Sequence, residues 1–133
     1  DESLAVVVGN EHPLAGQSRV AFADLLAYPW ILQPAHSPMR DVIEREFQSH
    51  HAMMPRGLVE TGSILTTINL IRKSRMIGVI PATVAQRDAE HGVLSIVRYP
   101  IRHKLATYGS IVRSDRPLST PAEQFLDLLH RKP

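Results

Sequence analysis

Residues 57 to 63, GLVETGS, have the G-x-x-x-x-G spacing of loops that cradle phosphates. The next residue is Ser63, where such a loop requires a lysine to reach the terminal phosphates, so nucleotide binding of that type is not expected. What remains is a small-residue junction, Thr61-Gly62-Ser63, between the β-prone stretch 56–60 and an apolar helical run that starts at Ile64. Two readings are open. Ser63 can cap the helix by accepting a bond from its first-turn amides. Alternatively, those amides and the positive end of the helix dipole can hold an anion, with Gly62 letting the backbone approach it closely.

Other residues capable of chemistry are less well arranged. Seven histidines lie at 12, 36, 50, 51, 91, 103 and 130, and no pair has the H-x-x-x-H spacing of a helical metal site. His50 and His51 are adjacent at a helix end, so their side chains diverge by about 100°. Ser37 and Ser63 read as helix caps, and no G-x-S-x-G elbow exposes a nucleophile. No catalytic residue, metal ligand or cofactor is therefore expected. The cations of IRKSR, residues 71 to 75, complement the negative end of a helix. No helix interleaves basic and aromatic residues as base readout would require.

The elements that must position the junction follow from pattern. SLAVVVG (3–9) reads as a strand, AFADLLA (21–27) as at most a short helix, and WILQ (30–33) as a short buried strand. Ser37-Pro38 opens a helix on which Met39, Val42, Ile43 and Phe47 form one apolar stripe, opposite Arg40, Glu44 and Arg45. RGLVE (56–60), a helix over 63–74, MIGVI (76–80) and a helix from Pro81 to about Arg87 come next. Strands are expected at 92–97 and 104–113. Thr120, Pro121 and Glu123 then form a capping box for a last helix that buries Phe125, Leu126, Leu128 and Leu129. Such alternation predicts an α/β sheet with helices on its faces.

Hydrophobic residues make up 44% of the 133, enough for a sizeable core, and aromatics only 5%, so the core must be aliphatic. Net charge is +2, which points weakly to anionic partners. The absence of cysteine removes disulfides and thiol chemistry. No stretch is apolar and long enough to span a bilayer, so no membrane partner is expected. The chain opens with an acidic DES, without Met or a basic leader, and enters a strand directly, so it is expected to be a fragment of a longer protein.

Four phrases in order resemble the C-terminal effector-binding domain of LysR-type transcriptional regulators. They are LAVVVGNEHPLAG, FADLLAYPWILQPAHSPMRDVIEREF, VETGSILTTINLIRKSRMIGVIPATVA and YGSIVRSDRPLSTPAEQFLDLL. The resemblance implies a type 2 periplasmic-binding-protein-like fold, two α/β lobes joined by crossing strands. On it, residues of about 15–104 would be a nearly complete second lobe, with 1–14 and 105–133 as crossover strands and a first-lobe remnant. A small anionic or aromatic effector would sit between the lobes, touching Thr61, Gly62 and Ser63, Gly9 and Asn10 at the end of the first crossover strand, and Pro81. This chain has glycine at position 9, where many relatives carry a hydroxyl.

The function so implied is effector sensing by a cytoplasmic, non-enzymatic transcription factor. It would dimerise through these domains and reach DNA through a domain absent from the chain. The helix from Ile64 to Ser74, with Thr67 and Lys73 as exposed polar positions at the rim, is the expected dimer contact. With its other wall missing, the cleft as written is half a site, and the isolated chain is expected to bind the effector weakly or not at all. The alternatives are a solute-binding receptor of the same architecture and an α/β enzyme using a histidine as general base. A signal peptide or a helix-turn-helix upstream would separate receptor from regulator.

Overall fold

A computed structural model describes residues 2–107 and 109–131. Five strands form one mixed sheet in the order β3-β2-β4-β1-β5: β1 Leu4–Val8, β2 Trp30–Leu32, β3 Val59–Glu60, β4 Ile77–Pro81 and β5 Ser95–Ile96. β2 is parallel to β3 and to β4, whereas β1 runs antiparallel to both its neighbours, pairing Leu4 with Pro81 and Val7 with Ile96. One reversed strand thus lies inside an otherwise parallel sheet. The helices are α1 Phe22–Leu25, α2 Pro38–Ser49, α3 Ile64–Arg72, α4 Ala82–Glu90 and α5 Thr120–His130. The alternation read from the sequence holds through β5.

Successive strand residues point to opposite faces, and the core divides accordingly. Leu4, Val6, Val8, Trp30, Leu32, Ile77 and Val79 pack against α1 and α2 through Phe22, Leu25, Val42, Ile43 and Phe47. Val7, Ile31 and Ile80 pack against Ile68 and Ile71 of α3 and Ala85 of α4. α3 lies very close to the sheet. A Cβ on Gly78 would stand 2.6 Å from Thr67 Cγ2, and one on Gly9 only 2.5 Å from the Ile71 carbonyl oxygen.

Four expectations are corrected. Segment 104–113 forms no strand in its described residues, and Ile111 is 99% exposed. Its β-branched composition is local, but a strand exists only with a partner, and both sides of β1 are already taken by β4 and β5. α5 starts from Ser119 without a side-chain cap bond, and Phe125, Leu128 and Leu129 are about 60% exposed, because none of the described residues covers its apolar side. Arg40 is buried, not outward, donating to the Gln33 carbonyl at 3.1 Å and pairing with Glu44 at 2.9 Å and Glu60 at 3.1 Å. Thr67 is buried as well: its hydroxyl bonds back to the Ser63 carbonyl at 3.2 Å while its methyl faces Gly78.

Candidate functional site

Sheet order makes Thr61–Ser63 the bridge from the edge strand β3 to α3. The Thr61 amide donates to the Leu32 carbonyl at 2.9 Å, extending the β2–β3 ladder one residue past Glu60. The chain then turns. The Ser63 amide donates to Thr61 Oγ1 at 3.1 Å, and Ser63 Oγ accepts from the Thr66 amide at 3.2 Å as the helix cap. The amides of Gly62, Ile64 and Leu65 have no acceptor among the described residues. Donors of this kind at a helix start carry partial positive charge and suit an anion.

Both sequence readings of the junction are therefore compatible: the serine hydroxyl caps, and three amides stay open. Gly62 is exposed, its φ is not positive, and the nearest atom to an added Cβ would be Pro34 Cδ at 4.0 Å. Packing does not demand glycine there. Side-chain charge near this edge leans negative, because Arg40 is shared between Glu44 and Glu60. Attraction for an anion would rest on the helix amides rather than on a guanidinium. Behind the edge, buried Gln33 donates to the Val79 carbonyl at 2.9 Å, and its Oε1 has no partner among the described residues.

Pro81 ends β4 at the same edge of the sheet, half-buried, and stands at the N-cap of α4, where the Ala82 amide donates to the Ser3 carbonyl at 2.8 Å. Gly9 and Asn10 do not join it, which corrects the expectation that all six residues face one cleft. Because β1 runs antiparallel to β4, its start lies beside Pro81 and its end at the opposite edge. There Asn10 donates to the Gly92 carbonyl at 2.7 Å and accepts from the Ser95 hydroxyl at 2.8 Å. Gly9 is buried against the last turn of α3. They border an open groove of about 550 Å³ that also includes Arg72, Lys73 and Arg75.

Residues far apart in sequence form a buried polar cluster that spacing does not reveal. Glu46 of α2 is 1% exposed and accepts from the Tyr99 hydroxyl, from His103 Nδ1 at 2.7 Å and from the Arg102 amide at 3.3 Å. Burial alone would push its carboxyl up, but these donors outweigh burial and hold it below the usual carboxylate range. Burial first, and then the bond to Glu46, drive the Tyr99 hydroxyl well above its ordinary value. Since Tyr99 gives its proton to Glu46, His50 Nε2 donates to the Tyr99 oxygen at 3.0 Å. At the other sheet edge, His12 is pushed below its usual value chiefly by burial, with Nε2 on the Arg75 carbonyl at 3.2 Å and Nδ1 accepting from Leu14. No three His, Asp or Glu side chains gather as a metal site among the described residues.

The family model described as the LysR substrate binding domain matches residues 1–133. The HTH-type transcriptional regulator GbpR of Azospirillum brasilense is 31% identical over 129 residues, 96% of this chain and 38% of the relative. Among solved structures, a putative transcriptional regulator from Vibrio parahaemolyticus superposes with a TM-score of 0.75 at 20% identity, over 96% of this chain and 58% of that one. The regulatory domain of CcmR from Synechocystis PCC6803, solved in complex with 2-PG, does so with a TM-score of 0.74 at 24% identity, over 96% and 61%. The chain thus spans well under half the length of the curated relative.

Proposed function

Because the chain belongs to the LysR substrate-binding domain family, we propose that it senses a small anionic or aromatic effector on behalf of a transcriptional regulator. The fold is the family's type 2 periplasmic-binding-protein-like architecture. On our reading residues of about 15–104 are the second lobe, β1 and the segment 105–113 are the crossings, and α5 belongs to the first lobe. The reversed β1 supports that division, as do the lack of strand pairing in the described residues of 105–113 and the exposed apolar side of α5.

The carrying observation is the set of unengaged amides at Gly62, Ile64 and Leu65 on the carboxyl edge of the parallel strands, where open α/β sheets bind ligands. Thr61, Gly62, Ser63 and Pro81 form this wall of the effector site. Gly9 and Asn10 are left out, because they brace the far edge. The role is binding without turnover. The regulator acts in the cytoplasm, pairs through α3, whose Leu65 is 69% exposed, and reaches DNA through a domain outside this chain. No described helix is long and apolar enough to cross a membrane. The CcmR neighbour, solved with 2-PG, lends support to a small-molecule effector. Its kinship with regulators favours this reading over a transport receptor.

The test is a titration of the longer protein, carrying both lobes, with a panel of small carboxylates and phosphate esters, followed by Gly62→Asp. A carboxylate set against the open amides should abolish the binding that wild type shows. Unchanged affinity in Gly62→Asp, or no ligand in the panel, would remove this site from the reading.

A further inference from the structure

On the sheet face opposite α3, a pocket of about 270 Å³ opens between the start of α1, the end of α2 and segment 98–102. Its lining includes three exposed arginines, Arg19, Arg98 and Arg102, none of which has a carboxylate partner among the described residues. The carboxylate built into this region, Glu46, is buried, and both its oxygens are engaged by Tyr99, His103 and the Arg102 amide. It therefore cannot swing out to neutralise them. Three arginines thus border one concavity with no carboxylate to meet them among the described residues, a positive lining that suits an anion.

The wall below the cations is aromatic. The His50 ring lies flat on Phe22, with centroids 4.2 Å apart and planes 7° from parallel, and Tyr99 leans on the same phenyl ring at 5.9 Å. The backbone bearing the arginines is held on both sides. The Arg98 carbonyl accepts from the Val20 amide at 3.2 Å, and the Arg102 amide is tied to Glu46. Only the long side chains need to settle when a ligand arrives, which limits the entropy lost on binding.

We propose that this pocket is a second ligand site of the domain, specific for a small planar carboxylate. The carboxylate takes forked hydrogen bonds from Arg98 and Arg102, and the flat body lies against His50 and Tyr99, which Phe22 backs from the core. The volume fits one ring, below the roughly 300–1,000 Å³ typical of larger ligands. The site is complete within the described residues and independent of the α3 start, so Gly62→Asp leaves it intact.

Benzoate is the probe, titrated into the 133-residue chain by calorimetry, with benzyl alcohol as the uncharged analogue. Saturable benzoate binding is expected, absent for benzyl alcohol and weakened at least about tenfold by Arg98→Ala/Arg102→Ala, since each charge-assisted bond contributes on that scale. Arg72→Ala/Arg75→Ala, which removes equal charge at the far edge, should change it less than about twofold. If the Arg98/Arg102 double variant unfolds, Arg19→Glu supplies the same reading through charge reversal. Absence of saturable binding, equal binding of benzyl alcohol, or equal weakening by the two double variants would overturn the proposal.

Discussion

Two glycines assigned to one cleft by sequence have opposite physical roles, and alanine at each position separates them. At Gly9 a Cβ would meet the Ile71 carbonyl oxygen at 2.5 Å, with Arg72 Cα at 3.4 Å behind it. Carbon and oxygen do not approach below roughly 3 Å without displacement, and the obstacle is backbone. Ile71 is fully buried, so the last turn of α3 cannot slide away without opening the core beneath it. Overpacking of this kind costs about 1–3 kcal/mol. At Gly62 the nearest atom is 4.0 Å away and φ is not positive, so alanine fits and restricts the unfolded chain, adding about 0.4–1 kcal/mol. For a chain of this length 1 kcal/mol moves the midpoint by about 3–5 °C. Thermal unfolding by circular dichroism should place Gly9→Ala about 3–15 °C below wild type and Gly62→Ala level with it or a few degrees above. A Gly9→Ala protein as stable as wild type, or a Gly62→Ala protein that loses several degrees, would refute the packing argument and with it the separation of the two edges.

Glu46 should make stability pH-dependent. Its folded pKa lies below the ordinary 4.5, so its contribution is complete above that value and is lost as pH falls through the folded pKa. Urea midpoints of wild type should drop as the solution is taken from neutral pH to below 4.5, and Glu46→Gln should lower the neutral-pH midpoint while flattening that drop. On α5, Phe125→Ser/Leu128→Ser should alter the stability of this chain by less than about 0.5 kcal/mol, since both side chains face solvent. In a protein carrying the first lobe the same pair should cost about 2 kcal/mol or more by denaturant unfolding; equal effects in both would remove α5 from that lobe.

The caps beside the candidate site were legible because their signals are local. Ser63 accepting from Thr66, and Ser37 accepting from Arg40 ahead of Pro38, are caps readable within four residues. The placement of Gly9 and Asn10 was not legible, because it depends on the direction in which β1 enters the sheet. A β-branched pentapeptide pairs equally well either way. Arg40 and Thr67 were misread as outward for a related reason. A polar residue on a helix is assumed to face water, but Arg40 finds two carboxylates and a carbonyl, and Thr67 satisfies its hydroxyl within its own helix. The Glu46 cluster and the arginine pocket draw on residues from 19 to 103, so no window along the chain contains them.

The amino-acid order alone determined the α/β alternation through β5, the caps of α2 and α3 and the aliphatic core, all of which follow from periodicity and short-range chemistry, while the family was legible from the resemblance of four phrases along the chain. Only the tertiary structure decided which end of β1 meets Pro81, which polar groups are buried, and that the described residues of 104–113 stay unpaired. Strand direction, burial and pairing are set by neighbours distant in sequence, whose hydrogen bonds and packing no local propensity encodes.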